Sequence, residues 1–208
     1  MLRRLILAAL LMLNAYAARA DTSQDCIQSK DHDLSIRACT TMIGRGGDVA
    51  WAYGNRGIAY RAKGDYDRAT ADQSKAIELK PKVINHYLNR AYAYSAKSEH
   101  ARAIADYTKA LELSPNHIGA LASRCNSRID LNDYDRAIAD CSTAIRLKSD
   151  NADALSDRAM AHYSTGNVDQ AMADTNAAID IDDKHSRAFS TRGMVWMKKG
   201  DEKRALVD

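Results

Sequence analysis

Cysteines, histidines and evenly spaced arginines are the side chains of this sequence that could do chemistry. None of its six histidines stands in an HxxxH or HExxH pattern, which would place two zinc ligands on one helix face. Its four cysteines do not form the CxxC pairs that bind zinc. There is also no GxSxG nucleophile motif and no glycine-rich phosphate loop. The sequence therefore predicts no enzyme, no metal site and no cofactor.

The arginines form a regular series, and each is accompanied by an acid. They recur every 34 residues, as Arg56, Arg90, Arg124, Arg158 and Arg192. An aspartate follows each of them after sixteen residues, as Asp72, Asp106, Asp140, Asp174 and Asp208. Arg56 shares a helical face with Tyr53, Gly57 and Tyr60, where an apolar side chain is expected. A guanidinium on such a face needs an anionic partner. We predict ion pairs between these residues, within a repeat or between neighbours; an arginine row that binds an anionic ligand is the alternative.

The same period of 34 divides most of the chain into helical repeats. Five repeats begin at Ala50, Ile84, Ile118, Ala152 and Ser186, and repeat positions are counted from these residues. Alanine recurs at positions 20 and 27, and large apolar residues recur at positions 28 and 30. Each repeat predicts two antiparallel helices, A and B, joined by a tight turn. Because one helix pair cannot bury both of its faces, we expect the repeats to stack into a solenoid.

These residues resemble the tetratricopeptide repeat (TPR) family, whose repeat also has 34 residues. The match includes Tyr60 and Tyr94 at position 11, and Pro81 and Pro115 at position 32. The arginine at position 7 departs from the family, which usually has an apolar residue there. The resemblance implies an all-α fold, a TPR solenoid of antiparallel helix pairs in a right-handed superhelix. It also implies a non-catalytic module that binds a protein or peptide on the concave surface lined by helix A.

The predicted organisation has a targeting segment, a degenerate repeat and five further repeats. The degenerate repeat is indicated by DHDLSIRACTTMI at 31–43, which aligns with 133–145 at three periods. The predicted segments are a signal peptide (1–20), a degenerate capping helix pair with its connector (21–49), TPR 1 (50–83), TPR 2 (84–117), TPR 3 (118–151), TPR 4 (152–185) and an incomplete TPR 5 (186–208). The uncapped last repeat predicts either a fragment of a longer array or an end that docks on another molecule.

The first twenty residues have the three-part pattern of a secretory signal peptide. Arg3 and Arg4 precede an apolar run at 5–13, and small residues lead to Ala20. We predict cleavage after Ala20, a periplasmic or secreted protein, and no membrane insertion of the mature chain; an uncleaved anchor is the alternative. Removal of the segment lowers Lys and Arg from 30 to 27, which equals the 27 Asp and Glu. A mature chain with no net charge does not predict a nucleic-acid partner.

The four cysteines occupy facing helices of two repeats. An even number of cysteines is typical of disulfide bonding in an exported protein. Cys125 and Cys141 take positions 8 and 24 of one repeat, and Cys26 and Cys39 take positions 11 and 24 of the degenerate repeat. We predict disulfides within each of these pairs. Buried free thiols are the alternative, because cysteine is common in tight helix contacts.

Helix A of each repeat carries the residues that could contact a partner. The TPR resemblance implies that positions 2, 5, 6, 9, 12 and 13 face the concave surface. The predicted peptide-binding residues are Trp51, Asn55, Ile58, Arg61, Asn85, Asn89, Tyr92, Asn126, Asp157, Met160 and Tyr163. Amides, aromatic rings and Met suit an extended peptide bound through its backbone and through apolar pockets. The carboxylate-clamp pattern of chaperone-tail binders is not matched; any single residue could equally be plain surface.

We therefore predict a protein-binding TPR scaffold with an unidentified partner. Two other functions stay open at this stage. One is a structural envelope component that oligomerises, or self-associates, through the uncapped C-terminal repeat. The other is the binding part of a larger enzyme or secretion component.

Overall fold

The computed structural model describes residues 22–27 and 30–208, and the regular elements within them are all helices. The described part of the chain divides into two compact bodies, one that ends at Ala96 and one that spans Lys97–Asp208. The predicted signal peptide lies outside the described residues. In the part that is described, no helix combines the length and the apolar character needed to cross a bilayer.

Helices A and B alternate along the chain. The N-terminal body contains α1 (22–27), α2 (His32–Arg45), α3 (Ala50–Ala62), α4 (Tyr66–Leu79) and α5 (Ile84–Ala96). The C-terminal body contains α6 (His100–Leu113), α7 (Ile118–Asp130), α8 (Tyr134–Leu147), α9 (Ala152–Ser164), α10 (Val168–Ile181), α11 (Ser186–Lys198) and α12 (Glu202–Ala205). The A helices α3, α5, α7, α9 and α11 have 13 residues each.

Within each body, every A helix packs against the B helices beside it and against the next A helix. In the N-terminal body, α3 contacts α2, α4 and α5. In the C-terminal body, α7 contacts α9 and α9 contacts α11, so that three A helices form one layer. This layering follows from the period, because each repeat covers the apolar face of its neighbour.

Small residues set the distance between the helices. Ala69, Ala103, Ala137 and Ala171 at position 20 are all buried, as are the alanines at position 27. Gly57 shows how close the approach is: a Cβ atom there would lie 2.8 Å from Gln73 Nε2 and 3.2 Å from the carbonyl oxygen of Ala69. Larger residues at these positions would push helices A and B apart.

The turn between helices A and B has one geometry in all five repeats. Its position 15 has a positive φ in every case, at Gly64, Ser98, Asn132, Gly166 and Gly200. Such a left-handed residue is the usual way to end a helix, and it favours glycine or asparagine. The next residue then precedes helix B; in Asp65 and Asp201 its carboxylate accepts a hydrogen bond from the helix backbone, at 3.1 Å in each case.

Candidate functional site

Four of the position-7 arginines, Arg56, Arg124, Arg158 and Arg192, bind the aspartates of their own repeats. Nε and Nη2 of Arg56 donate to the two carboxylate oxygens of Asp72, both at 2.8 Å. Arg124 binds Asp140 in the same way, at 2.8 and 2.7 Å. Arg158 with Asp174, and Arg192 with Asp208, repeat the geometry. This two-point contact suits the planar fork of arginine.

The third nitrogen of each guanidinium reaches the preceding repeat. Nη1 contacts a short polar side chain sixteen residues earlier, namely Thr40, Ser74, Thr108, Ser142 or Asn176. These residues share position 25 of helix B, and the donor–acceptor distances are 2.9 to 3.1 Å. We call the set of Arg at position 7, Asp at position 23 and the polar residue at position 25 the arginine latch. Sequence analysis missed position 25, although it always carries Ser, Thr or Asn.

The electrostatics of the latch support a structural role. Hydrogen bonding to Asp72 raises the pKa of Arg56, and hydrogen bonding to Asp208 raises the pKa of Arg192. With three nitrogens engaged inside the protein, these guanidinium groups are not presented to an anionic ligand. Arg90 donates to Ser74 at 2.9 Å, and Asp106 is buried. Arg90 and Asp106 belong to different bodies, and their pairing stays a prediction.

Repeat 3 adds a second arginine to its latch. Arg128, at position 11, donates to Asp140 at 2.6 Å and to the carbonyl oxygen of Arg136 at 3.0 Å. Burial lowers the pKa of Arg128, and nearby Arg124 lowers it further, whereas Asp140 raises it. Asp140 therefore accepts hydrogen bonds from two guanidinium groups in the same place, and its single negative charge balances one of them.

Five of the predicted peptide-binding residues line one groove in the N-terminal body. Trp51, Asn55 and Ile58 come from α3, and Asn85 and Asn89 come from α5. The groove has a volume of about 170 Å³ and is completed by Gly54, Val83 and His86. Arg61 and Tyr92 are not among its lining residues; they form a cation–π contact, with the guanidinium carbon 5.8 Å from the ring centre. The 34-residue spacing brings α3 and α5 side by side and so assembles the groove.

Two residues that sequence analysis did not select, His86 and Gln73, contact Gly54 in the lining of the groove. His86 packs on Gly54, where a Cβ atom would lie 2.7 Å from the imidazole Cε1. Gln73 donates from Nε2 to the carbonyl oxygen of Gly54 at 2.7 Å. Burial lowers the pKa of His86, and Lys80 lowers it further, so the imidazole is neutral at pH 7. A glycine at position 5 beside a histidine at position 3 of the next repeat is the signal that could have identified this contact.

The other predicted residues lie on α7 and α9 of the C-terminal body. Asn126, Met160 and Tyr163 are half-buried, whereas Asp157 is buried. Asp157 accepts hydrogen bonds from Arg187 Nη1 and from the side chain of Asn126. The ammonium group of Lys198 lies 5.0 Å from the centre of the Tyr163 ring. The structure thus places these residues on neighbouring A helices. Asp157 is buried there, whereas its repeat position predicted that it faces the concave surface.

Disulfides join both cysteine pairs in the structure. Cys26 and Cys39 link α1 to α2, with their Cα atoms 4.8 Å apart. Cys125 and Cys141 link α7 to α8, with their Cα atoms 5.6 Å apart. All four side chains are buried. Among residues 22–27 and 30–208, no group of three or more His, Cys, Asp or Glu side chains could hold a metal ion.

Stacked helix pairs with a groove on their A helices define this chain as an α-helical repeat protein of the binding type. Models of the tetratricopeptide repeat match residues 50–83, 84–117 and 125–186. The chain therefore belongs to the tetratricopeptide repeat family. No curated protein matches it.

Several solved structures share the fold. A tetratricopeptide repeat protein from Parabacteroides merdae ATCC 43184 is 21% identical, with a TM-score of 0.80 over 93% of this chain and 77% of that one. MamA (residues 41 to the end) from Desulfovibrio magneticus RS-1 is 19% identical, with a TM-score of 0.72 over 77% and 90%. YrrB, described as a TPR protein with an unusual peptide-binding site, is 22% identical, with a TM-score of 0.69 over 82% and 88%. At these identities the likeness concerns the fold alone.

Proposed function

We propose that this chain is a non-catalytic scaffold that binds an extended segment of a partner protein on the exposed face of its A helices. We further propose that it works outside the cytoplasm, in the periplasm or as a secreted protein. The observation that supports binding is the convergence of Trp51, Asn55, Ile58, Asn85 and Asn89 on one groove.

The chemistry of the groove suits a peptide backbone. The side-chain amides of Asn55, Asn85 and Asn89 can each donate and accept hydrogen bonds, as the backbone of an extended peptide requires. Trp51 and Ile58 offer apolar surface for a peptide side chain. The lining residues carry no charge at pH 7, because the pKa of His86 is lowered by burial. The groove therefore favours an uncharged stretch of the partner.

Family and fold add support of a general kind. TPR arrays serve as protein-interaction modules, and YrrB, which shares this fold, is described as having a peptide-binding site. An extended peptide that lies along the A helices would contact one repeat after another. No reacting group is required for such a function, and a catalytic role is not part of the proposal.

A peptide selection tests this function directly. The mature chain (residues 21–208) is used to select binders from a random twelve-residue phage-displayed library, and the affinity of enriched peptides is measured by fluorescence anisotropy. We expect Asn89→Ala to weaken binding at least tenfold with little change in melting temperature, because its amide faces the groove. Asn116→Ala is the matched control, since Asn116 is exposed in the link between two repeats. Failure to enrich any peptide, or equal affinity in both variants, would overturn the proposal.

A further inference from the structure

Asp157 is a buried carboxylate on the A-helix face of the C-terminal body. It lies at position 6 of its repeat and is only 5% exposed. In the other repeats this position carries an uncharged residue, namely Asn55, Asn89, Ser123 or Thr191. An ionised side chain at this place is therefore peculiar to one repeat. It is not part of the arginine latch, whose aspartates lie on the B helices.

The arginine that pairs with Asp157 is more exposed than the latch arginines and makes fewer contacts with its aspartate. Arg187 of α11 donates to it through Nη1, to one carboxylate oxygen. The Arg187 side chain is 48% exposed, whereas the latch arginines are 15 to 23% exposed and make two contacts with their aspartates. A half-exposed arginine on a flexible stem can reach solvent, but the buried carboxylate that it leaves needs another cation in its place. The Asp157 carboxylate cannot move into solvent in the same way, because its short side chain is buried on α9.

Polar groups of two A helices lie at Asp157 or next to it in the chain. Asn126 of α7 donates a hydrogen bond to the carboxylate. The hydroxyl of adjacent Ser156 is fully buried and has no hydrogen-bond partner among the described residues. Burial raises the pKa of Asp157, and the opposing effect of Arg187 is smaller. The carboxylate thus costs the fold free energy, and a residue that costs stability on a binding face is a candidate for recognition.

A second group on α9 also attracts cations. Tyr163 lies six residues after Asp157, and its ring centre is 5.0 Å from Lys198 Nζ. A cation over an aromatic face is stabilised by the ring quadrupole. Both Asp157 and Tyr163 therefore hold a cationic side chain of α11 in the free protein.

We propose that Asp157 recognises an arginine or lysine side chain of the partner peptide, and that Arg187 occupies this place until the peptide binds. This inference rests on the proposed function and names the chemistry of one residue of the partner. An incoming guanidinium or ammonium group replaces Arg187 against the carboxylate, so the buried charge stays paired throughout. Arg187 then moves into solvent.

Parallel peptide selections test this inference. The mature wild-type chain, Asp157→Asn and Asp169→Asn are each used to select from the same random library. Asp169 is the matched control, because it is an exposed acid on helix B of the same repeat. We expect arginine or lysine at one fixed position of the peptides selected by the wild type and by Asp169→Asn. Asp157→Asn should lose this preference and keep the remaining consensus.

Affinity measurements then test the role of Arg187. For a selected basic peptide, Asp157→Asn should weaken binding at least tenfold, whereas Arg187→Ala should strengthen it at least threefold by removing the competitor. Weaker binding to Arg187→Ala would show that Arg187 contributes to the site, and it would overturn the replacement. Selected peptides without a basic preference would overturn the inference while the proposed function stands. If no peptide is selected at all, the proposed function fails and this inference fails with it.

Discussion

At the scale of the residue, the arginine latch explains how a charge can recur inside every repeat. One guanidinium neutralises an aspartate of its own repeat and donates to helix B of the preceding repeat. A lysine has no planar fork and could not make these three contacts from fixed positions. The charge therefore adds a directional link between repeats that are otherwise joined by small apolar residues.

Loss of a latch arginine is expected to destabilise the protein. Arg158→Ala leaves the buried Asp174 without its cationic partner and Ser142 without its hydrogen-bond donor. The free energy of unfolding should therefore fall by about 2–4 kcal/mol. Arg68→Ala removes an exposed, solvent-screened pair with Asp65 and should lower the free energy of unfolding much less. Urea unfolding followed by circular dichroism measures both variants. Equal stability of the two would contradict a structural latch.

One buried histidine, His86, and one half-buried histidine, His162, make stability depend on pH. Burial is the main cause that lowers the pKa of His86 and of His162. The unfolded chain therefore binds more protons than the folded one near and below pH 6.5, and folding stability rises with pH in that window. Acidification from pH 7.5 to 5 should reduce the free energy of unfolding.

Variants separate this effect from other titrating groups. His86→Gln should flatten the pH dependence between pH 7.5 and 5 relative to the wild type, whereas His32→Gln, at an exposed position, should leave it as it is. Urea unfolding at several pH values gives the comparison. A profile that is the same in His86→Gln and in the wild type would show that His86 does not titrate as described.

At the scale of the element, the turn after each A helix is a fixed left-handed position filled by different residues. Gly64, Gly166 and Gly200 adopt it without strain, while Ser98 has a φ of 59° and Asn132 also has a φ of 59°. Asparagine tolerates this region better than serine does. In two of the five repeats, this turn therefore holds a residue with a side chain in a backbone conformation that favours glycine.

A glycine in the strained turn should stabilise the protein. Ser98→Gly relieves a left-handed conformation that costs roughly 1–2 kcal/mol in a residue with a side chain, less the extra freedom of glycine in the unfolded chain. We expect a net gain of about 0.5–1 kcal/mol. The reverse change, Gly166→Ser, should destabilise by a similar amount. Thermal unfolding of both variants tests the pair, and a loss of stability in Ser98→Gly would refute the argument.

At the scale of the whole molecule, the fold was predictable from the sequence because it is periodic. The 34-residue spacing, the alanines at position 20 and the tyrosines at position 11 lead to the TPR fold without any coordinates. The groove was only partly predictable, because Gly54 and His86 meet through packing between repeats. The same holds for Ser142 in its latch, whose role depends on the orientation of a guanidinium. Repetition reveals which positions matter, and the geometry reveals what they contact.

The disulfides are expected to stabilise the protein. Cys125 and Cys141 are separated by 16 residues, and closing a loop of this size in the unfolded chain is worth about 3 kcal/mol. Replacing both with alanine should lower the free energy of unfolding by about 2–4 kcal/mol. Peptide mapping without reducing agent, applied to protein purified from the periplasm, should find the two pairs. Free thiols in that protein would contradict the assignment.

Amide hydrogen exchange tests the central claim, which is that a partner binds the A helices. Residues 21–208 would be compared alone and with a selected peptide at saturating concentration, by mass spectrometry of peptic fragments. We predict slower exchange in α3 and α5, which form the groove, and little change in helix B segments such as α4. Protection confined to the B helices, with α3 and α5 unchanged, would contradict the account.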